Sequence, residues 1–471
     1  MDNLKDYVLW LGDFDYSVKP FCEVDAVLLC LISYFDLEMV LQSQKAKALR
    51  AAKAAAKRAA KKAEESAAKK GKAGAAKKGK TADASAENAA KPAGIPADYV
   101  EPDGFFLRDS LPLIKKGEIS VCITGGEQGF TPILEAAAQS KRFGGLWISN
   151  CVDRIEPEND LQFSAATFSW GEDFSFIAYR GTDNTLIGWK EDFMIAYTRT
   201  EAQKLALEYA SDSIKPAPAK PQKTRLLRKQ PKNSCAQRRW YIGGHSKGAN
   251  LALYAGAFLS DDQMAEVERV FILDGPGFAP EVLDLALVER LDPKATRIIP
   301  EHSIIGRIME PKITDLRVIV SSNSGVMEHS ISSWGVDHGG LAMSESQEPA
   351  EMWINNTIRE WIDKLSLTDR ICFINELFAA LMSGGAVTIE DLTKGGLAGI
   401  DAVIRGFKGF SETTKKTLSD LQSAAMDNAV KKFKDIPGDT LDSVKETVQP
   451  FFRSAMDFII QKGKTVIGGI I

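Results

Sequence analysis

One short segment constrains this chain more than any other. Gly244-His245-Ser246-Lys247-Gly248 follows the apolar run Trp240–Ile242 and leads into a helical pattern, Gly248–Leu259. A serine between glycines at a strand-to-helix turn fits a nucleophile elbow. The turn is so tight that flanking side chains would clash, and it lifts the hydroxyl into the open at the carboxyl end of a strand. The helix behind it favours developing negative charge. More short apolar runs follow at Val267–Leu273, Thr296–Ile299 and Leu316–Ser321, with a helical pattern at Glu281–Arg290. Phe163–Trp170 and Phe174–Tyr179 read as paired strands joined at Gly171-Glu172-Asp173, and a helix is expected over about Glu201–Tyr209. This alternation predicts an α/β fold, a mostly parallel central sheet flanked by helices.

A serine nucleophile needs a base, and the chain has four histidines: His245, His302, His329 and His338. His245 adjoins the serine, and its side chain is expected to point away. His329 lies in a loop after the last apolar run, where such folds carry their histidine, so it ranks first. His338 is the alternative and His302 ranks last. The orienting carboxylate is expected to be Asp274, which ends Val267–Leu273 and gives the order Ser, Asp, His. Glu301, after the next strand, is its rival, and Asp337 is a weaker one. Two backbone amides are expected to form the oxyanion hole, that of Lys247 and that of Thr182 in Arg180-Gly181-Thr182-Asp183; the Thr182 hydroxyl could also contribute. Arg180 could instead be a structural ion-pair residue. Trp189, Asp192 and Phe193, at i, i+3 and i+4, are expected to pack and position this loop.

Several of these segments resemble class 3 lipases. Tyr179-Arg180-Gly181-Thr182 with Gly188-Trp189-Lys190-Glu191-Asp192-Phe193 is similar to their RG[ST]…W..D segment, and Gly243–Ala252 to their nucleophile block. Lysine follows the serine where those lipases often have leucine or methionine. With Asp274-Gly275-Pro276-Gly277-Phe278, Gln162-Phe163-Ser164-Ala165, Trp10-Leu11-Gly12-Asp13 and Pro20–Ala26, the chain resembles a bacterial family of α/β-hydrolases related to those lipases, over about residues 1–40 and 98–385. The resemblance implies an α/β-hydrolase fold, Ser246 as nucleophile and an acyl ester or lipid substrate. It also implies an acid near Glu301 to Ser303, where no aspartate stands. That gap supports a second reading, a catalytically weak or inactive hydrolase-fold binding protein. No metal or organic cofactor is implied.

The net charge of −4 conceals a division. Lys45–Lys91 carries 15 Lys/Arg against 4 Asp/Glu, a local +11 in an otherwise acidic chain. Of residues 51–90, 18 are Ala. Ala51–Lys70 can form helix transiently, but with no apolar stripe it stays solvated. It lacks aromatics for stacking bases, which argues against specific nucleic-acid binding. Ser213–Arg239 is a second basic stretch, with four prolines and nine Lys/Arg, and reads as an exposed loop. Beyond about Ala350 helices are expected at Met352–Leu365, Leu367–Met382, Ser411–Phe433 and Leu441–Ile460. The division expected is 1–42, the start of the hydrolase domain; 43–97, a disordered or helical insert; 98–385, the hydrolase domain, with the basic loop 213–239; and 386–471, a helical extension. The insert and the last helices could together meet an anionic membrane surface. Six scattered cysteines without CxxC spacing, no apolar stretch near the roughly 20 residues of a spanning helix and no basic-then-apolar start favour a cytoplasmic setting.

Overall fold

The computed structural model describes residues 2–71, 99–122, 127–183, 185–215, 238–279, 281–303, 305–323, 325–344, 365–388, 391, 406, 409–417 and 419–420. The chain starts with helices α1 (Leu4–Leu11), α2 (Glu23–Ile32) and α3 (Leu37–Gly71). Strand β1 (Gly104–Phe106), helices α4 (Leu111–Lys116), α5 (Glu127–Gln139) and α6 (Lys141–Gly144), and strands β2 (Trp147–Glu156), β3 (Leu161–Trp170) and β4 (Phe174–Tyr179) come next. Helices α7 (Leu186–Ile195) and α8 (Glu201–Ser213) lead to β5 (Arg239–His245), α9 (Lys247–Phe258), α10 (Asp261–Glu266) and β6 (Val267–Leu273). Then come α11 (Leu285–Leu291), β7 (Ala295–Pro300), β8 (Leu316–Ile319), the hairpin β9 (Val336–Asp337) and β10 (Gly340–Leu341), and α12 (Leu367–Met382).

Strands β1 to β8 form one sheet in sequence order. The four pairings from β4 to β8 are parallel and the three from β1 to β4 antiparallel. The fold is thus α/β, with a mostly parallel central sheet flanked by helices. β4 and β7 are buried along their whole length, as strands covered on both faces must be. Strand alternation then divides the core. Tyr241, Phe271 and Leu273 face a cluster built largely from α1, α2 and α5. Ile242, Val270 and Ile272 face the cluster of α8 and α9.

Residues ahead of the basic stretch thus supply much of one face. In α2 every residue from Val24 to Ile32 is buried, including Asp25. A carboxylate there needs partners. Arg142 in α6 provides them, with Nε 2.9 Å from Oδ1 and Nη2 2.5 Å from Oδ2, and the Tyr7 hydroxyl donates at 2.9 Å.

Several boundaries differ from the pattern. The expected helix over Glu281–Arg290 begins at Leu285, where the Asp284 side chain caps it. β5 extends to His245, because pairing with β6 continues into the glycines of the motif. α8 runs on to Ser213, past the expected Tyr209. Of the expected late helices, Leu367–Met382 forms and packs on α7 through Phe373, Ile374 and Phe378 beside Leu186. Met352–Leu365, apart from its last residue, Leu441–Ile460, residues 421–433 and most of Ser213–Arg239 lie outside the described residues. Among those described, no helix is long and apolar enough to cross a membrane.

Candidate active site

The turn between β5 and α9 has the geometry its glycines allow. Ser246 adopts φ +59°, a left-handed conformation that costs a serine of order 1–3 kcal/mol. A Cβ on Gly244 would lie 2.1 Å from the Gly248 carbonyl oxygen, and one on Gly248 would lie 2.1 Å from that of Tyr179. Neither position accepts a larger residue without moving backbone. The turn packs directly on the end of β4, so the segment after β4 lies beside it.

Three sequence-predicted residues meet here. His329 Nε2 lies 2.9 Å from Ser246 Oγ, and its Nδ1 lies 2.6 Å from Asp274 Oδ2. The carboxylate can only accept, so Nδ1 carries the proton and Nε2 is left to accept from the serine. Asp274 is fully buried just past β6, with φ +45°. Burial alone would raise its carboxyl's pKa. The hydrogen bond and charge of His329, with the Ser303 hydroxyl, outweigh burial and hold it below the usual carboxylate range. Ser303 Oγ donates to Asp274 Oδ1, and the Gly306 N–H donates to the same oxygen at 3.1 Å. The place after β7 where the lipase resemblance puts an acid therefore holds a serine that donates to Asp274, just past the preceding strand.

The other candidates stand elsewhere. Glu301 continues the sheet edge, its N–H donating to the Ile319 carbonyl at 2.9 Å. His338 is 94% exposed and pairs with Asp337. His302 pairs with Glu328, Nδ1 to Oε1 at 2.5 Å.

His245 does point away from Ser246, and it is far from idle. Its Nε2 lies 2.8 Å from the His329 carbonyl oxygen, and Tyr34 reaches its Nδ1 at 2.8 Å. A carbonyl requires a donor, so Nε2 carries the proton and the Tyr34 hydroxyl donates to Nδ1. Burial, and secondarily the repulsion a protonated His329 would exert, push the His245 pKa down to about 3. It is therefore a fixed neutral ring, with its centroid 4.6 Å from that of His329.

The loop after β4 is held by buried polar groups. Arg180 is a structural ion-pair residue, with Nη2 2.7 Å and Nη1 2.9 Å from Asp153. The Thr182 hydroxyl donates to Asp192 Oδ2 and is committed there. Burial raises Asp192 to a pKa of about 7 against the opposing pull of Lys247 and Thr182. The expectation that Trp189, Asp192 and Phe193 form one packing face needs correcting. Asp192 anchors Thr182, whereas Trp189 and Phe193 are 37% and 46% exposed, because α7 turns that side outward, where Phe193 meets the ring of Phe378.

Lys247 starts α9, where the first N–H groups have no partner inside the helix. Its side chain is buried, with Nζ 2.7 Å from Glu191 Oε2, 2.8 Å from Gln162 Oε1 and 2.5 Å from the Gln162 carbonyl. This ties the elbow to α7 and β3. Asn250, one turn on, donates to the carbonyls of Pro276 and Gly277 at 3.1 Å, fixing the segment that follows Asp274. Sequence reasoning missed Ser303, Tyr34, Asn250 and the anchoring role of Asp192. Only Ser303 had a signal, the position where an acid was expected. Among the described residues no group of three or more His, Cys, Asp or Glu is arranged to hold a metal ion.

A family model described as Mbeg1-like matches residues 137–379, just over half of the chain and the part that holds all of these loops except Tyr34. Comparison with curated proteins gives no match. Among solved structures the chain is similar to M37 lipase, at 17% identity and a TM-score of 0.25, over 39% of this chain and 64% of that one. A likeness that slight has no bearing on the site.

Proposed function

Starting from the fact that the chain belongs to the Mbeg1-like family, a lipase-like family, we propose that it is a serine hydrolase acting on an acyl ester or lipid. The observation that carries this reading is the continuous hydrogen-bonded chain from Ser246 Oγ through His329 to a buried Asp274. Ser246 Oγ attacks the ester carbonyl while His329 Nε2 takes its proton. Asp274 holds the ring through Nδ1–H and stabilises the cation that forms. The backbone N–H groups of Lys247 and Thr182 receive the developing oxyanion. His329 then returns the proton to the departing alcohol, leaving an acyl group on Ser246. Water, activated by the same imidazole, releases the acid and restores the serine.

The rival reading, a hydrolase-fold binding protein without useful catalysis, drew on the missing acid after β7, the basic inserts and the helical tail. The contact of Asp274 with His329 supports the hydrolase reading on the first of these points. The same proposal places the protein in the cytoplasm. It is supported by the cysteines of the described residues, Cys22, Cys30, Cys122, Cys151 and Cys372, all free thiols. A role for an anionic membrane surface, met through the basic insert and the last helices, belongs to the proposal as well.

A fluorophosphonate probe tests the core of it. The wild-type protein should become labelled and hydrolyse a short-chain ester, and Ser246→Ala should do neither, with a turnover loss of about 10⁶-fold. Wild-type protein that resists the probe, or Ser246→Ala that keeps its turnover, would sink the reading.

A further inference from the structure

His329 and Asp274 come from different loops, and their alignment depends on whatever fixes one loop against the other. The turn after β7 touches both. Ser303 Oγ and the Gly306 N–H hold Asp274 Oδ1. One residue earlier His302 engages Glu328, the residue before His329. The His302 backbone N–H donates to Glu328 Oε2 at 3.0 Å, and its Nδ1 lies 2.5 Å from Oε1. The Glu328 side chain is 4% exposed, and its own carbonyl accepts from Trp334 Nε1 at 3.0 Å. A carboxylate this buried is costly unless its oxygens are met, so the two donors on His302 dictate where residue 328 sits. Residue 329 follows directly in the chain, so a displacement of Glu328 is passed on to His329.

We infer that His302 and Glu328 are a positioning pair that sets the His329 imidazole between Asp274 and Ser246. Neither touches the reacting atoms. The inference rests on the serine-hydrolase reading for its consequence in turnover, and on geometry alone for its consequence in the Asp274–His329 contact. A pair that merely staples two loops would affect stability without regard to which donor is lost. A positioning pair responds to the donor itself. Asn at 302 puts a side-chain amide where Nδ1–H stands, while Ala removes it.

The test uses the full chain with His302→Ala, His302→Asn and Glu328→Gln. Two quantities are measured on each: turnover of a short-chain ester, split into kcat and KM, and the downfield NMR resonance of the His329 Nδ1 proton. His302→Ala should lower kcat about 10- to 100-fold, the size expected when a reacting group shifts by about 1 Å, with KM within about twofold. The resonance should shift or broaden with it. His302→Asn should restore most of both. Glu328→Gln keeps an acceptor for the His302 N–H and should fall between. The inference is overturned if His302→Ala leaves kcat and the resonance unchanged, or if Ala and Asn impair both equally. Should the wild type hydrolyse no ester while its resonance responds to His302→Ala and recovers in His302→Asn, the positioning pair stands and the hydrolase reading falls.

Discussion

The elbow at Ser246 and the long helix α3 are opposite answers to where polar groups go. Around the elbow, Lys247, Glu191, Asp274, Arg180 and His245 are buried and each is met by a specific partner. Among the described side chains of α3, the buried ones lie at its start, Leu37, Val40 and Leu41. Lys45 still touches the body, 3.9 Å from Glu101. From Lys53 to Lys62 the side chains stand in solvent. Alanine and lysine make that helix by backbone propensity, which specifies no neighbour. Buried charge specifies its neighbours because the unpaired alternative costs several kcal/mol. The two regions should therefore respond very differently to substitution.

The largest effect after loss of Ser246, the proposed nucleophile, is expected at Asp274, the proposed orienting acid. Asp274→Asn keeps shape and burial but offers His329 Nδ1 an amide. That favours the wrong tautomer, with Nε2 protonated and unable to accept from Ser246. Turnover should fall about 10⁴-fold while the melting temperature changes little. Steady-state kinetics beside a thermal melt decide it. A loss below about tenfold would mean that the geometry at Ser246 does not depend on this contact.

How much of this was legible in the sequence follows the same division. The elbow was legible because its residues are contiguous and their spacing carries the sterics: Gly244 and Gly248 have no room for a Cβ. Strands β3 to β8 were legible as apolar runs. β1 and β2 were not, because β1 has only three residues and the half-buried β2, with its exposed Asp153, Arg154 and Ile155, gives no such run. The acid remained open between Asp274 and Glu301, since distance along the chain cannot say which loop turns toward His329. Tyr34 was out of reach altogether: it meets His245 across 211 residues of sequence, and nothing near it marks the encounter.

The next effect is on stability, and Lys247 is its place. Lysine stands here where class 3 lipases often have an apolar residue, and its ammonium is paired with a Glu191 that is 2% exposed. Lys247→Met should destabilise the fold by about 3–5 kcal/mol, because it leaves a buried carboxylate without its cation. Adding Glu191→Leu should recover most of that loss, since a pair replaced by packed apolar groups is often neutral. Urea unfolding of the single and double variants measures both. If the single variant loses less than about 1 kcal/mol, the pair is not what binds α9 to α7.

The smallest effect is expected where the charge is densest. Lys53, Lys57 and Lys61 recur at i, i+4 and i+8, so like charges lie one above another on the exposed part of α3, each such pair costing roughly 0.2–0.5 kcal/mol. Replacing residues 47–97 with a short Gly-Ser linker removes that repulsion and, among the side chains described, no buried one. Stability should change by no more than about 0.5 kcal/mol, and ester turnover should be unchanged. What should be lost is attraction to an anionic surface, to which each basic residue near the surface contributes about 1 kcal/mol. Sedimentation with phosphatidylserine-containing vesicles at low salt should pull down the full chain and not the shortened one, and neutral vesicles should pull down neither. Equal binding by both proteins would take the helix out of membrane contact and leave the charge as solvation alone. A large fall in turnover would show instead that α3 supports the hydrolase body, and the contrast with the elbow would fail.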